Sequence, residues 1–378
     1  MLKHYSFFFL FFLFFLFFLA PPWVQASGQG RIVAEAQVSV YFSEGGGAKK
    51  SILAAINSAK ESIYLHSFFL SDREIAAALI DAHGRGIHVE ALLCRRGQIE
   101  ALDPQGRYLH RAGVPVFLNG RFRAEHNKVM LFDGHTVQTG SYNYRFDADV
   151  LDAENIVFVR SPALYARYFE EYARRKAEAV PYDLEGPFKE RDEIGEKTDA
   201  GEGQGHHFSF AALPMQVHFA PGDARQAILR QIDNTRHSLV LHTYYFSDQD
   251  IARAVVRAKE RGVQVEAVLS AKAEHKDPQE FLAPMLTARG MAVWLDPEHR
   301  NAHNKVILYD GEIVQTGSYN LKNGVDAINA ENVLFLHSRE LADIYFKNYE
   351  IHKAHSQILP SGVIPNTIQE KSSSELSS

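Results

Sequence analysis

The sequence predicts an α/β protein made from two copies of one domain, each a mixed β-sheet flanked by helices. Three observations carry that reading. The first is an internal repeat. Residues 126–143 read HNKVMLFDGHTVQTGSYN and residues 303–320 read HNKVILYDGEIVQTGSYN, identical at fourteen of eighteen positions with a fixed offset of 177. The second is the alternation of β-branched runs with helical periodicity along each copy. The third is composition. A chain of 378 residues that is 46% hydrophobic, 12% aromatic and 23% charged has material for two domains of ordinary size. The same figures exclude a disordered, collagenous or coiled-coil protein.

Ahead of the first copy, residues 7–20 read FFFLFFLFFLFFLA behind Lys3 and His4. As a helix this run would span about 21 Å, short of the ~30 Å core of a bilayer. Pro21 and Pro22 stop it, and Val24-Gln25-Ala26 offers a small-x-small cleavage site. Residues 1–26 therefore read as a secretory signal peptide, and the mature chain as periplasmic or secreted. The lone Cys94 excludes a disulfide framework and any multi-cysteine zinc site. A formal net charge of −6 argues against a protein that lives by coating nucleic acid, which is usually basic.

Within the first copy, Val38–Phe42 reads as a strand, Ala48–Ser58 as a helix and Ser62–Leu70 as a second strand. Arg73–Gly84 is a helix ending at glycine, followed by buried strand Ile87–Leu93 and then Val114–Leu118. Lys128–Phe132 and Thr136–Thr139 form a hairpin across Asp133-Gly134, a strong turn signal. Strand Asn155–Val159 and helix Pro162–Ala179 close the copy. The repeat reaches beyond the hairpin: residues 52–72 align with 228–248, and Ala153-Glu154-Asn155 with Ala330-Glu331-Asn332. A unit of this size is a duplicated domain, since solenoid periods run only about 20–50 residues. The boundaries read as 37–182 and 214–355. Between them, 183–213 is rich in Glu, Lys, Asp and Gly and reads as a solvated linker; 356–378 reads as a loose tail.

The chemistry sits on the hairpin. His126 and Lys128 are two apart on a strand, so both leave one face, and the apolar residues that follow place that face beside a core. Burying a lysine beside a histidine is costly unless an anion or a carboxylate partners them. Recurrence as His303-Asn304-Lys305 makes a chance arrangement untenable. Gly140-Ser141 and Gly317-Ser318 can bring backbone N–H groups and a hydroxyl to a phosphate, and Asn143 and Asn320 add amide donors.

His-x-Lys, four residues, Asp, six residues, Gly-Ser, one residue, Asn resembles the signature of the phospholipase D superfamily, twice over and across essentially the whole mature chain. The resemblance implies two domains related by a pseudo-two-fold axis and sharing one active site, so that a monomer suffices. It implies a phosphohistidine mechanism in which one of His126 and His303 attacks and the other is general acid and base; by analogy with tandem members the attack falls to His126. Lys128, Lys305, Asn143 and Asn320 would bind the non-bridging phosphate oxygens. Glu154 and Glu331 match the carboxylate that holds the histidine's other ring nitrogen, and Asp133 and Asp310 match an architectural aspartate. The lysines supply the positive charge, so no metal or other cofactor is expected, and no clustered His/Cys/Asp set with zinc or magnesium spacing is legible.

Other residues are weighed by whether both copies carry them. His66 and His242 are matched and read as hydrogen-bonded core histidines. His135, opposite Glu312, reads as surface; Cys94, opposite Ser270, reads as a buried small side chain. His206-His207 falls in the expected linker. Arg95, Arg96, Arg121 and Arg123 read as solvated charges. The substrate expected is a phospholipid, cleaved to phosphatidate with peripheral membrane contact; the alternatives are a metal-independent endonuclease and a phosphatidyltransferase.

Overall fold

The computed structural model describes residues 30–44, 47–101, 103–184, 205–272 and 282–360. The expected signal peptide lies outside them, as do 185–204 of the expected linker and 361–378 of the expected tail. The first copy is a mixed sheet. Its strands lie in the order Val180–Pro181, Val116–Asn119, His88–Cys94, Ser62–Ser67, Lys128–Phe132, Thr136–Gly140, Asn155–Arg160 and Arg31–Phe42. Ser62–Ser67, His88–Cys94 and Val116–Asn119 run parallel to one another, and their other partners are antiparallel. A parallel pair needs a crossover, supplied between the first two by helix Arg73–Gly84. That helix starts where it does because Asp72 accepts the backbone N–H groups of Glu74 and Ile75. Asp248 caps Gln249–Glu260 in the same way in the second copy.

The second copy repeats the order, from Gln357–Ile358 at one edge to His206–Ala220 at the other. The two sheets join there, Arg31–Phe42 pairing antiparallel with His206–Ala220. Each copy has its own core under its first two helices, and a third core is shared between copies. Along Lys128–Phe132, Met130 and Phe132 enter the first copy's core while Val129 and Leu131 enter the shared one. Burial on both faces is why these strands read as continuous apolar runs.

Two expected boundaries move. Residues 206–213, assigned to a solvated linker, form the first half of a fifteen-residue strand. Phe208 and Phe210 alternate against Val38 and Ala36, and the register slips just before Pro214, which cannot donate to a ladder. Gln357–Ile358, assigned to a loose tail, caps the sheet edge against Trp294 and Leu295, as Val180–Pro181 does in the first copy.

Candidate active site

The segment before each His-x-Lys crosses to the other copy. Ala124–Glu125 pairs parallel with Asn329–Ala330, and Asn301–Ala302 with Asp152–Ala153. The His126 backbone N–H then reaches the Ala330 carbonyl, and that of His303 the Ala153 carbonyl, each at 2.8 Å. Each histidine is thus delivered beside the other copy's glutamate. His126 Nδ1 lies 2.8 Å from Glu331 Oε2, and His303 Nδ1 lies 2.8 Å from Glu154 Oε1. Both glutamates are fully buried. Lys128 and Lys305 each donate from Nζ to the carbonyl of their own histidine at 2.6 Å, and lie over the rings of Phe68 and Tyr244.

Beneath this centre is a polar lattice that sequence reasoning did not assign a role. Asn332 donates to Asn127 and accepts from Thr139; Asn155 donates to Asn304 and accepts from Thr316. All six are buried. The legible signal was there: polar residues identical in both copies inside runs that are otherwise apolar.

The glycines and serines differ from expectation. A Cβ at Gly140 would sit on the Asn155 carbonyl oxygen, and one at Gly317 on that of Asn332, at φ of +147° and +133°. The Ser141 and Ser318 backbone N–H groups donate to those same carbonyls, and both hydroxyls accept from the Asn155 and Asn332 N–H groups. Close strand approach therefore occupies Ser141 and Ser318 with the scaffold rather than with a phosphate; Ser318 also donates to Glu331 at 2.6 Å. Asn143 and Asn320 differ from them, since their buried side-chain oxygens have no hydrogen-bond partner. Asp133 and Asp310, at φ of +50° and +54°, each accept from three backbone N–H groups, Lys60 to Ser62 and Arg236 to Ser238. They pin each hairpin turn to the start of a neighbouring strand.

Burial dominates the electrostatics. It lowers His126, against the pull of Glu331, and with Lys305 and Lys128 it holds His303 well below the usual imidazole range. His126 itself adds to the penalty on His303, so the two rings share one field. Desolvation brings Lys128 to about 8 and Lys305 to about 7. It raises Glu154 to about 7 against the opposing lysine charges. Glu331 is also desolvated, but His126 and Lys128 outweigh that and leave it below the usual carboxylate range.

Among the other residues weighed, His66 bonds Glu125 at 2.7 Å inside the core, and His242 is buried 3.5 Å from the Asn304 amide nitrogen. Cys94 is buried and burial pushes its thiol up, so it is no nucleophile. Arg95, Arg96 and Arg121 pair with Asp183, Glu100 and Glu178. The expectation of no metal-type cluster is corrected. Asp296, His299, His352 and His355 bring their ligand atoms within 4.8 Å of one another. Screening by recurrence discards them, because the first copy has Asn119, Phe122, Arg175 and Glu178 at those places.

A family model described as the PLD-like domain of cardiolipin synthase matches residues 52–176 and again 228–352, well over half of the chain. The chain belongs to the phospholipase D superfamily. Among its superfamily relatives, a phospholipase D of Rickettsia bellii is 36% identical over 145 residues, 38% of this chain and 72% of that protein. Cardiolipin synthase B of Salmonella typhi is 24% identical over 332 residues, 76% of this chain and 74% of that one. The crystal structure of phosphatidylserine synthase from Haemophilus influenzae superposes with a TM-score of 0.66 at 15% identity, covering 92% of this chain and 94% of the other. The paired-domain fold is therefore common to this phospholipase D superfamily member and that structure.

Proposed function

We propose that this protein hydrolyses the head-group phosphodiester of a phospholipid to phosphatidate through a phosphohistidine. The observation that carries the reading is the reciprocal pair of His–Glu contacts above two buried lysines. Neutral His126 attacks phosphorus through Nε2, with Nδ1–H held by Glu331; the ionised carboxylate stabilises the positive charge that develops on the ring. The N–P bond forms as the P–O bond to the head group breaks, and neutral His303 passes its Nε2 proton to the departing oxygen while taking one at Nδ1 from protonated Glu154. His303 then takes a proton from water, whose oxygen displaces His126 and releases phosphatidate. Its partner Glu154, pushed to about 7, exchanges a proton near neutrality, which suits acid and base duty. Lys128, Lys305, Asn143 and Asn320 bind the non-bridging oxygens, and the substrate anion offsets the burial that otherwise drives the lysines toward neutrality.

Surface chemistry supports a lipid. Leu151 and Ile328 are 43% and 39% exposed, each three residues ahead of its copy's buried glutamate, and neighbouring Val150 is 58% exposed. Arg95, Arg96 and Arg121 are already paired with carboxylates, which leaves them less available to a nucleic-acid backbone. Export directed by residues 1–26 would put envelope phospholipids within reach. The match to cardiolipin synthase B favours a second reading, phosphatidyl transfer, in which an alcohol rather than water displaces His126.

The test offers phosphatidylethanolamine and phosphatidylglycerol vesicles in one reaction and single-stranded DNA in another. Phosphatidate from vesicles with DNA intact is expected. A lipid–alcohol product dominating when glycerol is added would move the assignment to transfer, and DNA cleavage with untouched vesicles would overturn the lipid reading.

A further inference from the structure

We infer that the second copy carries a zinc site built from Asp296 Oδ2, His299 Nδ1, His352 Nδ1 and His355 Nε2. From Asp296 Oδ2 the three nitrogens lie at 2.9, 3.0 and 3.2 Å. Zinc bonds of about 2.0–2.1 Å in a tetrahedron separate the ligand atoms by roughly 3.3 Å; three of the six edges already stand near that length, and all four atoms lie within 4.8 Å of one another. As hydrogen bonds alone, the same geometry asks one carboxylate oxygen to accept three imidazole N–H groups at once.

The residues come from a strand end, the loop that follows it and the last turn of a helix. Asp296 ends strand Ala292–Asp296, and His299 follows in the loop that leads to His303. His352 and His355 lie three apart at the end of helix Arg339–His355, on one face. Three imidazoles and a carboxylate suit zinc and its neighbours in the transition series, whereas calcium and magnesium take oxygen.

Carboxylates stand near the outer nitrogens of two of the imidazoles. Asp296 Oδ1 accepts the Glu298 N–H at 2.9 Å, which turns Oδ2 toward the histidines. His352 Nε2, on the far side of its ring from the cluster, lies 2.9 Å from Glu44 Oε1. His355 Nδ1 lies 3.6 Å from Glu298 Oε2. A carboxylate behind a ligating imidazole fixes its tautomer and raises its basicity. At the same place in the first copy, the Arg175 guanidinium lies 4.4 Å from the Phe122 ring centroid and is bonded to Glu171. There the chain carries its own cation; in the second copy four ligating side chains replace Asn, Phe, Arg and Glu together.

The experiment strips the full chain with EDTA, removes the chelator, and titrates Zn²⁺ by calorimetry and Co²⁺ by visible absorption. One zinc per chain, intense d–d bands of tetrahedral cobalt and a zinc-dependent rise in Tm are expected. The His126→Ala/His303→Ala double variant should bind equally, which separates this site from the reaction centre. His299→Ala/His355→Ala, shown folded by circular dichroism, should lose binding, and Glu44→Gln should weaken it roughly 10–100-fold. No binding by the native chain, or binding unchanged in His299→Ala/His355→Ala, would overturn the site.

Discussion

In the second copy, Asn329 donates a hydrogen bond to Glu331 at 3.1 Å; its counterpart in the first copy is Asp152, a carboxylate held by Arg300 and Asn301 two residues from Glu154. One amide exchanged for an acid accompanies two glutamates of opposite character, Glu331 well ionised and Glu154 raised to about 7. Duplication supplied two equivalent histidines, and the residues around them made the two inequivalent. The same holds at Asp296, where the first copy is an ordinary packed corner and the second a cluster of ligating groups. Identity between the copies marks the proposed shared chemistry, and difference between them the proposed division of labour.

The sharpest way to break this comparison is to remove each histidine. His126→Ala and His303→Ala should each lower phosphodiester turnover by about a thousandfold or more. With an aryl phosphodiester, whose leaving group needs no proton, His303→Ala should regain much of its first burst and His126→Ala none. Equal behaviour on that substrate would erase the proposed division. A smaller effect is expected from Asn329→Asp, which makes the second copy resemble the first. Attack needs neutral His126, and an added negative charge favours the imidazolium. The acid limb of the kcat/KM profile should therefore move to higher pH by roughly half to one unit. The alkaline limb should stay, falling as pH rises through about 7 to 8 while Lys305 and Lys128 lose their protons. A profile that does not move would detach the asymmetry from Asn329.

Least of all should the copies differ at Asp133 and Asp310. Alanine at either should cost about 1–3 kcal/mol of stability, read by denaturant titration, with activity kept at 25 °C. Burial pushes the Asp133 carboxyl up, but three backbone N–H donors outweigh it and leave it lowered. Its contribution is therefore present above the unfolded-state value and lost as pH falls through the folded one, so the deficit of Asp133→Ala should close in acid.

Much of this was legible because duplication lets a sequence annotate itself. The strand and helix order, the His-x-Lys pairs and the turn aspartates all recur. What did not recur, or recurred without an obvious chemistry, stayed hidden. The crossing of Glu331 to His126 depends on two-residue ladders, Ala124–Glu125 and Asn301–Ala302, too short to carry a periodic signal. Residues 206–213 looked solvated because their outward positions include His207 and Ser209, and their pairing partner lies about 170 residues away. Ser141 and Ser318 are positioned by how near Gly140 and Gly317 let two strands approach, a distance no motif states. Asp296 and His352 meet only through packing of the last helix.

Because each histidine leans on a carboxylate from the other half, the proposed reaction should need both halves at once, as an AND gate does. Expressed as two separate chains, residues 27–184 and 205–378 would each hold a complete motif and an incomplete reaction centre. Turnover would then report their reassembly, and a lesion at Glu154 in one fragment would silence His303 in the other. On that reading a change at either glutamate is felt at the opposite histidine, so the two copies are coupled at the level of single atoms.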